Sequence, residues 1–591
     1  KTAAANLVKE TFNYPFDENK FSNFSSKLLK SLDRSLESSW QSNNNLPESL
    51  KEYINGYKIL GNQRNSNGEV LIVVTAKLSS ENVVEKSRHI QRNFATHIIE
   101  NKGADACLIS FFAENYEDWR FSIVKIDYRR EVSEKGKTQI KKNITNVKRF
   151  SYLVGRNEPN HTAQSQLSPL IISEKKPSID DLVEAFSVDK INDSFFNSYR
   201  DLCFEVSNEL NNLVNKDDKI KNIFSNNNLT TINFSKKLMG QIVFIYFLQK
   251  KGLMGIEKDL NGNYKRWGTG SKNFLRQLYS KKYCDYDNFF NDVLEPLFYI
   301  ALNSENEFDP KLNCKVPFLN GGLFEPINDY NWEESDIKIN NDILEKILDV
   351  FDQYNFTVNE EDPVEKEVAI NPEMLGHIFE SLIEENLRRS KGTFYTPSHI
   401  VEHMSKNTIF YFLKNKIKST EQFSKELNFF INNYDKSVIN LKISKTILEK
   451  KNEIVKNLKE ITILDPSVGS GAFLVSMLQI ITNILLVLDE NINQNSKYKY
   501  KRELIQNNLF GVDIDESSIE IAKLRLWLSL TIDVHETEII EPLPNLDYNI
   551  VSGDSLAEID HNFENFVETD ELLKLKKKYK NISSLKKKRE Q

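Results

Sequence analysis

Between Ile463 and Leu478 the chain reads ILDPSVGSGAFLVSML: an acid, a proline, two glycines split by one serine, then an apolar helical stretch. Few folds accept that order. ITIL predicts a strand ending at Asp465, and GAFLVSMLQIITNILLVL predicts the helix that follows. A glycine-rich turn from strand to helix points backbone N–H groups and the positive helix end at whatever lies beyond. Glycine is needed there because a Cβ would block close approach or forbid the turn's dihedrals.

Such a turn suits a dinucleotide, a phosphate, or the amino-acid end of S-adenosylmethionine. A phosphate-gripping loop would close on Gly-Lys-Ser/Thr, which is absent. The third glycine of a dinucleotide fingerprint is replaced by Leu474. An acid at the strand end remains, and Asp465 can accept a hydrogen bond from an α-ammonium group.

Two later segments sharpen the reading. NLFGVDIDESSIEIAKLRLWLSL predicts a strand, an acidic end and an amphipathic helix, and Asp513 stands where an acid binds ribose hydroxyls. It follows Asp465 by 48 residues, and the polar stretch DENINQNSKYKYKRE is expected to be a surface insertion that lengthens the interval. YNIVSGDSL predicts a third strand leading to Asp554, whose carboxylate can accept from an adenine amino group. Acids at three successive strand ends point to a nucleoside site on the carboxyl edge of one sheet.

The rest of the chain is read in three parts. Residues 1–150 predict an α/β unit, with β-branched EVLIVVTAKL as a buried strand. Residues 151–365 read as a helical connector, in which FSKKLMGQIVFIYFLQKKG is a buried helix ending at Gly252. Residues 366–591 alternate strand and helix, as a parallel α/β sheet requires. The lysine-rich tail after 565 is spaced as a solvated amphipathic helix, a contact to DNA phosphates being the rarer alternative. Four scattered cysteines without a C-x-x-C pair argue against a zinc ribbon or disulfide scaffold and suit a reducing cytoplasm. A net charge of −7 gives no global basic field, so a nucleic-acid partner would need a local basic surface. No apolar run is long enough to span a bilayer.

DPSVGSGAFL, GVDID and GDSL, preceded by GTFYTPSHIVEHM (Gly392 to Met404), resemble the ordered motifs of gamma-class N6-adenine DNA methyltransferases. FSYLVGRNEPNHTAQ, WRFSIVKIDY, FIYFLQKKG and INPEMLGHIFESL extend the resemblance to the large type IIG restriction–modification proteins. The resemblance implies a nuclease-like front domain, a helical connector and a Rossmann-like, S-adenosylmethionine-dependent methyltransferase domain that is incomplete. It implies that Thr396 closes over the methionine part of the cofactor, lined by Asp465, Gly469 and Gly471. Asp513 would hold the ribose, Ile514 pack on the adenine, and Asp554 bond its amino group. Double-stranded DNA is the implied partner, in the cytoplasm. The family's Asn-Pro-Pro-Tyr/Phe motif occurs nowhere; Asn371-Pro372 is followed by Glu373. The chain, which starts at Lys1 and stops in the lysine-rich stretch, is therefore expected to be an N-terminal piece without methyl-transfer residues or a target-recognition domain.

The element order over residues 45 to 130 is compatible with a PD-(D/E)xK nuclease core, which would use Mg²⁺. The second element reads Thr75-Ala76-Lys77, with threonine in place of the acid. Glu69, Lys77 and Gln91 are the candidates for such a site; the alternative is a strand-end lysine and a helix amide. Two other enzyme-free or nuclease-free readings stay open: a modification-only methyltransferase, and a non-catalytic defence-complex subunit. His399 and His403, four apart on a helix, are expected to be structural, and His161 lies in a polar loop.

Overall fold

The computed structural model describes residues 2–65, 68–126, 129–132, 138–141, 147–304, 308–309, 311–319, 322–357, 365–372, 374, 396–417, 420–434, 443–489, 496–531 and 544–557. They form two compact units: residues 1–198 with 349–371, and residues 199–348 with 372–591. This division departs from the three sequential parts expected. The reason is a return of the chain: Asp349–Asn371 rejoins the first unit after the connector.

The first unit is a seven-stranded sheet in the order β1 (Gln41–Ser42), β2 (Ile54–Arg64), β3 (Val70–Leu78), β4 (Ala106–Ala113), β5 (Asp118–Ile126), β6 (Val147–Gly155) and β7 (Glu365–Glu367). The β3/β4 and β6/β7 pairs are parallel and the others antiparallel. Period-2 alternation sorts β5 onto two faces. Trp119 and Phe121 meet Phe12 of α1 (Thr2–Phe12) and Phe21 and Phe24 of α2 (Glu18–Leu29), with ring centroids 5.4 to 5.9 Å apart. Arg120 and Ser122 face the other way, toward α3 (Arg88–Lys102), which lays Ile90, Gln91, Phe94 and Ile98 against the sheet. Phe150–Gly155, expected to open the connector, instead belongs to β6 in this sheet, because alternating Phe150, Tyr152 and Val154 suit a strand.

In the second unit, α4 (Thr231–Lys250) is buried almost all round and capped by Thr230, whose hydroxyl accepts from the Asn233 amide at 3.2 Å. A π-helical turn, Phe290–Leu294, precedes buried Glu295. The same unit holds a three-stranded parallel sheet: β8 (Ile463–Asp465), β9 (Leu509–Asp513) and β10 (Ile550–Ser552), in that order. Helices α6 (Ala472–Leu488) and α7 (Ser496–Asn507) connect β8 to β9, and α8 (Glu516–Thr531) follows β9. Helix α5 (Ser398–Lys416) packs along α6. Half of the expected surface insertion is thus structural. Helix α7 buries Tyr500, Leu504 and Ile505, and its Lys501 ammonium donates to the Ser529 carbonyl at 2.9 Å. Residues 490–495, Gly392 to Tyr395 and the lysine-rich tail lie outside the described residues. Among the described residues, no helix is long and apolar enough to cross a membrane.

Candidate functional site

Parallel register brings the three acids to one sheet edge. Asp465 pairs with Gly511 and Asp513 with Ser552, so the chain leaves β8, β9 and β10 on the same side, with Asp554 two residues beyond its strand. The turn after β8 is drawn back over β9. The Val468 amide donates to the Val512 carbonyl at 2.9 Å, and the Gly469 amide to Asp513 Oδ2 at 2.8 Å. That approach explains Gly511: a Cβ there would stand 2.8 Å from Val468 Cγ2. Across the tip of β9, the Ser555 hydroxyl donates to the Pro466 carbonyl at 2.5 Å, linking the exits of the two outer strands.

Gly471 has φ +83° and begins α6 without a side-chain cap, so the helix's first N–H groups stay available to a ligand. Asp465 accepts from the Ser467 amide at 3.1 Å through Oδ1, while its Oδ2 is buried without a hydrogen-bond partner. Burial raises its pKa, the Ser467 bond opposes that, and the charge of Asp513 raises it further. A buried acceptor without a donor is costly. A cationic donor from a ligand would satisfy it. Ile514 is 62% exposed directly after Asp513. Asp554 is exposed and accepts from the Leu556 amide at 2.9 Å. Thr396, half-buried, stands two residues before α5, the helix that packs along α6.

The nuclease candidates are not brought together. Glu69 precedes β3 and binds the Asn65 amide nitrogen at 2.6 Å, whereas Lys77 near the far end of β3 pairs with Glu114 at 2.9 Å. Eight residues of strand separate them by roughly 26 Å, too far to share one ion. Gln91 is fully buried, donating to the carbonyls of Val83 and Val84 and accepting from Arg149 at 2.7 Å. These three therefore do not form the expected site. Among the described residues no cluster of His, Cys, Asp and Glu could hold a metal ion. His399 and His403 are exposed on α5, and His161 opens the helix His161–Ile172 beside a cavity with Tyr354.

Sequence reasoning missed Arg525, which holds the glycine loop from behind. Its signal was a lone cation in the apolar run LRLWLSL. It also missed a buried charge cluster in the first unit, where Glu367 pairs with Arg88 and with Arg120 at 3.3 Å.

An edge of this kind, with an acid after each parallel strand and a glycine loop before the first helix, is where open α/β sheets offer a ligand crevice. Residues 441–560 match the family described as MmeI, DNA-methyltransferase domain. The chain is similar to RM.MjaORFECS2P of Methanocaldococcus jannaschii, at 35% identity over 361 residues, covering 56% of this chain and 28% of that protein. It is similar to the type II restriction enzyme and methyltransferase RM.Eco57I of Escherichia coli at 23% identity, covering 53% of this chain and 28% of that one. The solved type IIL restriction–modification enzyme MmeI aligns over 62% of this chain and 41% of its own, with 18% identity and a TM-score of 0.38. The resemblance to type II restriction–modification enzymes with a DNA-methyltransferase domain is borne out by the family match and the relatives. The matched spans make up 28% of the length of those two curated relatives.

Proposed function

We propose that this chain carries the S-adenosylmethionine site of a type II restriction–modification protein that methylates N6 of adenine in DNA. The observation that carries the reading is the edge of β8, β9 and β10, with the buried, unpartnered Asp465 Oδ2 at the end of its first strand. Asp465 takes the α-ammonium group, Asp513 the ribose hydroxyls and Asp554 the adenine amino group, while Ile514 covers the adenine face. Gly469 and Gly471 keep the loop free of side chains, and Thr396 closes over the methionine part. The bound cofactor supplies an electrophilic sulfonium methyl group. The protein's task is to hold that methyl in line with an adenine rotated out of the duplex, since orientation can supply effective molarities of about 10⁵ M or more. No Asn-Pro-Pro-aromatic tetrapeptide to hold the adenine occurs in these 591 residues.

Calorimetric titration of the chain with S-adenosylmethionine tests the reading. Binding by the parent and its loss in Asp465→Asn and Asp513→Ala are expected; equal heats in all three would remove these acids from the site. A second reading concerns the first unit, which would grip double-stranded DNA without cutting it. The dispersal of Glu69, Lys77 and Gln91 favours it over a Mg²⁺-dependent nuclease built on those residues. Mg²⁺-dependent cleavage of unmethylated plasmid by the whole protein, lost in Lys77→Ala, would overturn it.

A further inference from the structure

Arg525 sits in the middle of α8, and its side chain is 2% exposed. Arginine keeps its charge at any depth, so such burial favours acceptors around its donors; Nε is buried without a hydrogen-bond partner, and the glycine loop is met by Nη1. Nη1 donates to the carbonyl oxygen of Ser470 at 3.1 Å and lies 3.5 Å from Ser470 Oγ. Ser470 is also 2% exposed and stands between the two loop glycines.

Three residues before Arg525, on the same face of α8, lies Ala522. A Cβ on Gly471 would stand 3.1 Å from the Ala522 Cβ. One face of α8 therefore receives the loop twice: a small residue admits the Gly471 backbone, and a cation grips the peptide before it. The two preceding tethers, from Val468 and Gly469, run to β9 instead.

We propose that Arg525 is a positioning residue for the amino-acid end of the cofactor, acting through the Ser470 carbonyl. The inference rests on the reading of this edge as an S-adenosylmethionine site. A carbonyl turned toward the ligand would set its lone pairs against the ligand's carboxylate. Held by Arg525, that acceptor is directed into α8, and the uncapped first turn of α6 is left to offer N–H groups. The peptide is planar, so fixing the carbonyl also fixes the Gly471 amide, which donates to the Val468 carbonyl at 2.8 Å. Arg525 touches neither the ribose-binding nor the adenine-binding acid in this arrangement, so its influence falls on one end of the ligand.

That asymmetry is the test. The 591-residue chain is titrated with S-adenosylhomocysteine, which has the amino-acid end, and with adenosine, which lacks it. Arg525→Met is expected to weaken S-adenosylhomocysteine by about tenfold or more, as one lost buried charged hydrogen bond implies. Adenosine affinity stays at the parent value, and Arg525→Lys recovers part of the loss by restoring a charged donor. Equal weakening of both ligands, or no weakening of either, overturns the assignment. If Arg525→Met does not fold by near-ultraviolet circular dichroism, Arg525→Lys carries the same comparison. Failure of both to fold also overturns it, because Arg525 would then be a requirement of the fold. A parent chain that binds neither ligand sinks the cofactor reading itself, a distinct result.

Discussion

The Gly469 amide donates to Asp513 Oδ2 at 2.8 Å while the Asp515 amide donates to Oδ1 at 3.0 Å. One carboxylate thus ties the turn after β8 to the turn after β9. Asp513→Asn keeps the shape but halves the acceptors and removes the charge. It is expected to weaken S-adenosylmethionine by tenfold or more, on the order of 1.5–3 kcal/mol for a charged hydrogen bond. Calorimetry decides, and an unchanged dissociation constant would leave Asp513 a purely structural tether.

Gly471 combines a φ of +83° with a Cβ position 3.1 Å from the Ala522 Cβ. Gly471→Ala should cost about 1–3 kcal/mol from the left-handed backbone alone, read by urea unfolding. Adding Ala522→Gly relieves the contact but not the dihedral, so only part of the stability returns. Full recovery in the double variant would show that crowding, not backbone conformation, selects glycine.

Asp465 has its pKa raised, by burial first and by Asp513 as well. A ligand ammonium favours the ionised form and so lowers the pKa in the complex. Affinity should therefore be full above the pKa of the free protein and fall as pH drops through it, with proton release on binding in that interval. Titrations in buffers of different ionisation enthalpy measure the proton count. An affinity that rises as the solution is acidified would exclude Asp465 as the ammonium's partner.

Glu295 is 0% exposed, accepts from the Tyr330 hydroxyl at 2.7 Å and from Asn291 at 3.1 Å, and has its carboxyl pushed up to about 8 by burial, those two bonds opposing. Its ordinary value is 4.5. Between those values the folded chain holds a proton that the unfolded chain has released. The associated stability is complete below pH 4.5 and lost as pH rises toward 8. The full loss is roughly 3–5 kcal/mol. Glu295→Gln should flatten that dependence in urea melts of the second unit, and a slope unchanged from the parent would assign it to other groups.

Glu367 buries its carboxylate between Arg88 and Arg120, with side chains 17% and 2% exposed respectively. Glu367→Ala removes the carboxylate that both guanidinium groups share and should cost about 3–5 kcal/mol. Hydrogen exchange along β6 would report it. Parent-like protection there would mean that β7 holds without its ion pair.

Local chemistry made the methyltransferase edge legible: ITIL, VDID and VSGDS each carry apolar strand followed by acid, and parallel pairing needed no further information to align them. The order of elements over residues 45 to 130 could be read for the same reason. What escaped depended on distant partners. Arg525 looks like an intruder in an apolar helix until Ser470 is found 55 positions earlier. Glu367 looks like a loop acid until β7 is seen beside β6. Gln91 reads equally as a surface amide or a metal-site neighbour, and only the buried Arg149 distinguishes them. Tyr500 falls in the stretch expected to be a surface insertion because polar residues outnumber it there, although with Leu504 one turn further on it suffices to dock α7.

The return of Asp349–Asn371 to the first sheet also constrains how the chain can acquire its structure during synthesis. A ribosome must release the whole connector before the seventh strand exists, so β6 spends that interval as an open edge, and Arg88 and Arg120 spend it without the Glu367 carboxylate. Folding of the first unit is thus not finished from front to back. Its last stitch is sewn by residues translated more than a hundred codons later.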